Sequence, residues 1–185
     1  MPRVPFVERE NLDPEGQDVW DQIAGPRGGT AHNWAALLNN PVAAGKLAQL
    51  GVYARVDTPL DKRVKYLAIL TAAREAGGHH IWTANQRSAK AAGLPDDVID
   101  AILQFRAPVG LDPSDSNVVQ FVQELLRHHC VSDHTFDALR DQIGIPAIID
   151  MLVVCTYYYA MSHCIQALEV VQEPGLDSAL TYLPP

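Results

Sequence analysis

Sulfur is scarce in this sequence. Three cysteines, an odd number with no CxxC spacing, exclude a disulfide framework. Cys155 and Cys164 stand nine residues apart, which places them on opposite sides of a helix. Charge is scarce too, since Asp, Glu, Lys and Arg make up 19% of the chain, against about 25% in an average globular sequence. No basic run occurs; the densest patch, DKRVK at 61–65, reads as a solvated helix face. With a formal net charge of -8 and a pI near 5.2, nucleic acid is excluded as a partner, because phosphates are gripped by clustered Lys and Arg. The opening MPRVPFVERENLDPEGQ lacks the apolar core of a signal peptide. The longest apolar stretch, MLVVCTYYYAM at 151–161, falls short of the about 20 residues a membrane-spanning helix requires. The expectation is a cytoplasmic protein with no membrane partner.

What the sequence does have is apolar content at helical spacing. Its 185 residues are 48% hydrophobic, sufficient for one domain with a sizeable core, and no segment alternates like a strand. A helix is expected over 13–25, with Asp13 as cap, Pro14 in the first turn and Gly25 as stop. The turn-rich GPRGGT at 25–30 follows, then a short helix over 33–40 and another over 41–56. TPLDKRVKYLAILTAARE at 58–75 reads as a helix capped by Thr58, with Asp61 at N3 of a capping box. Gly77-Gly78 ends it, and HHIWTANQRSAKAAG at 79–93 closes on Gly93. Further helices are expected at 94–105, 116–129, 132–144 and 145–171, with 106–115 as the one real loop. The last helix is apolar on nearly every face, so it should be central or covered by another subunit. The fold class is all-α: a helical extension over 1–24 and a single helical-bundle domain over 25–185.

The order of these segments carries a resemblance. LLNNPVAAGKLAQLGVYARVDTPLDKRVKYLAILTAARE, followed by IWTANQRSAKAAGLPDDVIDAI, resembles the carboxymuconolactone decarboxylase family, whose relatives include the AhpD-like alkylhydroperoxidases. The GPRG link at 25–28 and the long C-terminal helix fit as well, so the resemblance covers roughly 25–171. It implies an AhpD-like bundle assembled as a homo-oligomer, commonly a trimer or hexamer, with sites near subunit contacts. Family members carry a Glu in the segment that reads KYLAIL here, a Glu or Cys one residue before the Trp, and a His three after it. Peroxidase-like members have a CxxC. Aligned on IWTAN and KYLAIL, the Glu position falls on Tyr66, the two Cys positions on Gly78 and Ile81, and the His position on Asn85. The usual catalytic residues are therefore replaced. Neither Gly78 nor Ile81 supplies a thiolate, which disfavours the inherited peroxidase reaction.

Candidate site residues follow from GHHIWTAN at 78–85. Ile81, Asn85 and Ala89 share a face at i, i+4, i+8, with Trp82 beside them as an apolar wall. An amide at Asn85 could hold a ligand oxygen or bond to backbone within a core. His79 and His80 stand at a helix N-terminus, where the dipole favours neutral imidazole; one of them could act as a base, or both could cap the helix. Adjacent side chains point about 100° apart and cannot chelate one metal. Tyr66 could donate to a substrate oxygen or simply pack. HHCVSDH at 128–134 lacks zinc-site spacing, and GPRGG at 25–29 lacks a phosphate-loop pattern. No metal or cofactor is expected. The functional expectation is proton-transfer chemistry (decarboxylation, isomerisation or lyase type) on a small oxygenated acid, lactone or keto compound. The alternative is a non-catalytic small-molecule-binding or assembly protein.

Overall fold

The computed structural model describes residues 2–25, 29–172 and 180, and those residues form helices, turns and irregular segments. The GPRG link falls mostly on Pro26–Gly28, outside the described residues. The chain forms two compact units, one up to Asp57 and resumed at Cys164, the other from Thr58 to His163.

In the first unit, a 3-10 turn at Arg9–Asn11 leads into α1 (Pro14–Ala24). The Asp13 carboxylate caps α1 by accepting from the Gly16 N–H at 2.7 Å, and Pro14 occupies the first turn as expected. After α2 (His32–Leu37), the Asn40 side chain caps α3 (Pro41–Val52) by accepting from Ala43 N–H at 3.1 Å. A π-helical turn at Tyr53–Asp57 carries the chain onward. Ile23, Ala24, Trp34, Leu38 and Ala44 are buried here.

The second unit is built around α4 (Lys62–Glu75), whose start differs from the expected one. Asp61 is the cap itself, accepting from the N–H groups of Arg63 and Val64, while Thr58 accepts from Leu60. Pro59 separates the two turns, and a residue before proline is biased away from helical backbone. From Val64 to Arg74 every residue of α4 except Tyr66 is buried. Ala68, Ala72 and Ala73 leave room for close neighbours, and α5 (His79–Ala91), α6 (Asp96–Leu103) and α7 (Pro113–His128) all pack on α4. Helix α7 starts three residues earlier than expected, because Asp112 accepts from Ser114 and Asp115 and Pro113 fills the first turn. The Arg63 guanidinium binds Asp115 through two bonds of 2.8 and 2.6 Å and donates to Gly93 O at 2.9 Å. One side chain thereby ties the heads of α4 and α7 to the turn after α5.

The two final expected helices run together as α8 (Asp133–Ala167), broken at Gly144, where φ is +79°, with Pro146 beyond it. By length and composition alone α8 could cross a membrane. Met151, Val154, Cys155, Tyr157, Tyr158 and Met161 are buried, as in a core helix. Within one chain its cover is incomplete, since Ile149 is 53% exposed and Ile145 is exposed too, which leaves cover by another subunit as the expected alternative. Helix α4 is the one covered on nearly every side.

The turn between α7 and α8 is held by Glu124. Burial alone would raise its pKa, but the carboxylate accepts from the Ser132 N–H, the Gln120 amide and the Thr135 hydroxyl, and these bonds bring it down to about 2. Since the folded value lies below the ordinary 4.5, this stabilisation is complete above pH 4.5 and drains away as pH falls toward 2. Glu124→Gln should cost about 1–2 kcal/mol at neutral pH, after discounting for solvent screening, and flatten the acid limb of the stability profile. Urea unfolding measured across that pH range checks this; an unchanged acid slope in the variant contradicts it.

Candidate active site

The corner where α4 turns into α5 holds most of the candidate residues. Gly77 takes φ +62°, a conformation open to glycine, and its neighbour Gly78 becomes the cap of α5 with no side-chain cap bond. Gly78 has a steric role of its own. A Cβ built there would lie 2.7 Å from Ser162 Cβ on α8 and closer still to Ser162 Oγ. Ser162 is buried and donates to Tyr158 O at 2.9 Å, so it has little freedom to withdraw. A cysteine at this position would force Ser162 to shift before any question of chemistry arises.

His79 opens α5 and is half-buried. Burial, then the positive charge of Arg74, hold its pKa below the usual 6.5, so the ring is neutral at pH 7. His80 is also half-buried, and its Nε2 is enclosed. Ile81 and Trp82 are buried, Trp82 completely, which suits the apolar wall assigned to it. Asn85 is half-buried, and its amide donates to Ile81 O in its own helix at 2.8 Å. That bond occupies one donor and turns the group along the helix. Tyr66 is half-buried on α4, with the Lys65 ammonium 5.5 Å from its ring centroid.

Sequence reading passed over the most unusual group. Arg74 is only 6% exposed, and its Nε–H has no hydrogen-bond partner among the described residues. The guanidinium carbon lies 3.9 Å from the ring centroid of Phe105, while Arg127 lies 5.7 Å from the same ring and forks onto Glu75. The Thr71 hydroxyl and the Trp82 indole N–H are buried and unbonded as well. Only the charge at the end of an otherwise apolar segment hinted at Arg74.

Elsewhere in this unit a surface cleft of about 290 Å³ is lined by Arg63, Asp97, Arg106 and Asp112, and by none of the candidate residues. Among the described residues no group of three His, Cys, Asp or Glu side chains is placed to hold a metal.

Solved structures share this architecture. An AhpD-core, peroxidase-related protein from Ralstonia eutropha JMP134 superposes with a TM-score of 0.77 at 12% identity, over 95% of this chain and 94% of that one. The fold is AhpD-like. A cysteine-to-alanine form of the debrominase Bmp8 with 2,3,4-tribromopyrrole follows at TM-score 0.73, 13% identity, 92% of this chain and 91% of that one. The debrominase without ligand matches equally well, at 0.73 over 92% of each chain. No family model and no curated protein matches the sequence. The AhpD-like scaffold is therefore shared with chains only 12–13% identical to this one.

The Gly78 contact is testable by substitution. Gly78→Ala should destabilise the protein by about 2–3 kcal/mol through overpacking. Adding Ser162→Gly removes both clashing atoms and should recover most of that loss, a non-additivity that a double-mutant cycle in urea reads directly. Full stability in Gly78→Ala alone would remove the steric account.

Proposed function

We propose that this chain is an AhpD-fold enzyme that moves a proton on a small oxygenated acid, lactone or keto compound and uses no thiol. The observation that carries this reading is the head of α5: a neutral, half-buried imidazole stands beside a cationic group, next to a glycine where a side chain would collide with Ser162. Deprotonation next to a carbonyl needs one base and donors that stabilise the enolate, and both residue types are present. His79 or His80 takes the proton, Tyr66 offers a hydroxyl to the substrate oxygen, and Trp82 with Ile81 forms the apolar wall. Burial pushes the Cys155 thiol up to about 12, which makes that residue a poor nucleophile.

A non-catalytic binding or assembly role is the second reading, and the Asn85 amide spent on its own helix favours it. The open apolar stretch of α8 around Ile149 favours assembly with further copies of the chain, and a homo-oligomer, trimer or hexamer, is part of the proposal.

Screening small carboxylic acids, lactones and keto compounds for thermal stabilisation, then for turnover, tests the reading. With a turned-over compound, activity should fall as pH drops below 6.5, because the base works as free imidazole. The alanine variant of the working histidine should lose at least about 100-fold in kcat. Full turnover in both His79→Ala and His80→Ala excludes the proposed base.

A further inference from the structure

A guanidinium enclosed in protein is stable only when its charge and its five N–H donors are answered. Arg74 lies more than nine-tenths buried, yet among the described residues no carboxylate is hydrogen-bonded to it. The nearest one, Glu75, gives both oxygens to Arg127. Two guanidinium groups thus share one carboxylate, leaving a single positive charge in excess. Phe105 covers the flat face of Arg74 at 3.9 Å but offers nothing to the N–H edge, where Nε stays unbonded. The chain also places this ring at a cost. Phe105 sits at φ +55° just past the end of α6, in a position that glycine usually fills. Beside Arg74 stands the first turn of the 13-residue α5, with no side-chain cap and with its dipole's positive end outward.

We infer that Arg74, Phe105 and the head of α5 form a binding site for a small monoanionic carboxylate. One unanswered positive charge calls for one negative charge, and the planar fork of Arg74 matches the two oxygens of a carboxylate. The Phe105 face accommodates a flat or unsaturated acid. The site rests on the proposed function in one respect only: it names the substrate's anionic group. It stands as a binding site whether or not the protein catalyses anything.

Titration calorimetry with benzoate, and with benzamide as the uncharged match, tests it in the absence of turnover. The wild-type protein should bind benzoate at least about tenfold more tightly than benzamide, since a charge-assisted pair is lost in the amide. Arg74→Gln should weaken benzoate at least about tenfold and leave benzamide unchanged. Arg74→Lys keeps the charge without the fork; it should fold even if Arg74→Gln does not, and it should bind benzoate several-fold more weakly. Wild-type benzoate affinity in either folded variant overturns the site, as does wild-type protein that binds both compounds equally or neither. Loss of self-association in Arg74→Gln, by sedimentation, with benzoate binding intact, overturns it too and assigns the charge to a subunit contact. Benzoate binding in wild type with full turnover in both His79→Ala and His80→Ala leaves the carboxylate site standing and removes the proposed base, so the two failures are separable.

Discussion

Helix α4 has almost no side of its own facing solvent, and the chemistry at its end follows from that burial. Between Val64 and Arg74 only Tyr66 escapes full cover, so whatever side chain stands at the last turn is enclosed with the rest. Arg74 is such a side chain. Its neighbour Glu75 gives both oxygens to Arg127, so it acts on Arg74 through its charge alone. The helix then ends in a two-glycine corner that must be narrow, because Ser162 touches the backbone at Gly78. Close packing therefore crowds a thiol position and leaves Arg74 sharing one carboxylate with Arg127, both at one corner.

Much of the fold was legible before any coordinates. Asp13-Pro14 and Pro41 announce helix starts, because a short polar cap and a proline each suit what the first turn lacks, while the cap at Asn40 shows only in the structure. Asp112-Pro113 has the same form but lay within RAPVGLDPSD, whose turn residues masked it. Thr58 looked like a cap because its hydroxyl suits one, yet Asp61 sits beyond Pro59 and takes two N–H groups at once. Hydropathy singled out the last helix as the covered one, although α4, with alanines and two buried cations among its residues, is more enclosed. Apolar content shows which helices can be buried; side-chain volume and neighbours decide which are.

The site was less legible because its key relations are not local. Gly78 reads as half of a helix stop, and only the approach of α8 shows that glycine is compulsory there. Arg74 reads as an ordinary charge at a helix end, where solvent is the usual partner. Its isolation depends on Phe105 and Arg127, both remote in sequence. The two solved relatives, at 12 and 13% identity, share the backbone course and leave the chemistry to be read from this chain's own side chains.

The central claim is that the enclosed charge of Arg74 awaits a small carboxylate. NMR observation of the Arg74 Nε–H during a benzoate titration addresses that atom itself. The account predicts a saturable downfield shift of this one resonance, with the dissociation constant found by calorimetry, as the unbonded N–H gains an acceptor. A resonance that stays in place while benzoate binds elsewhere would contradict it.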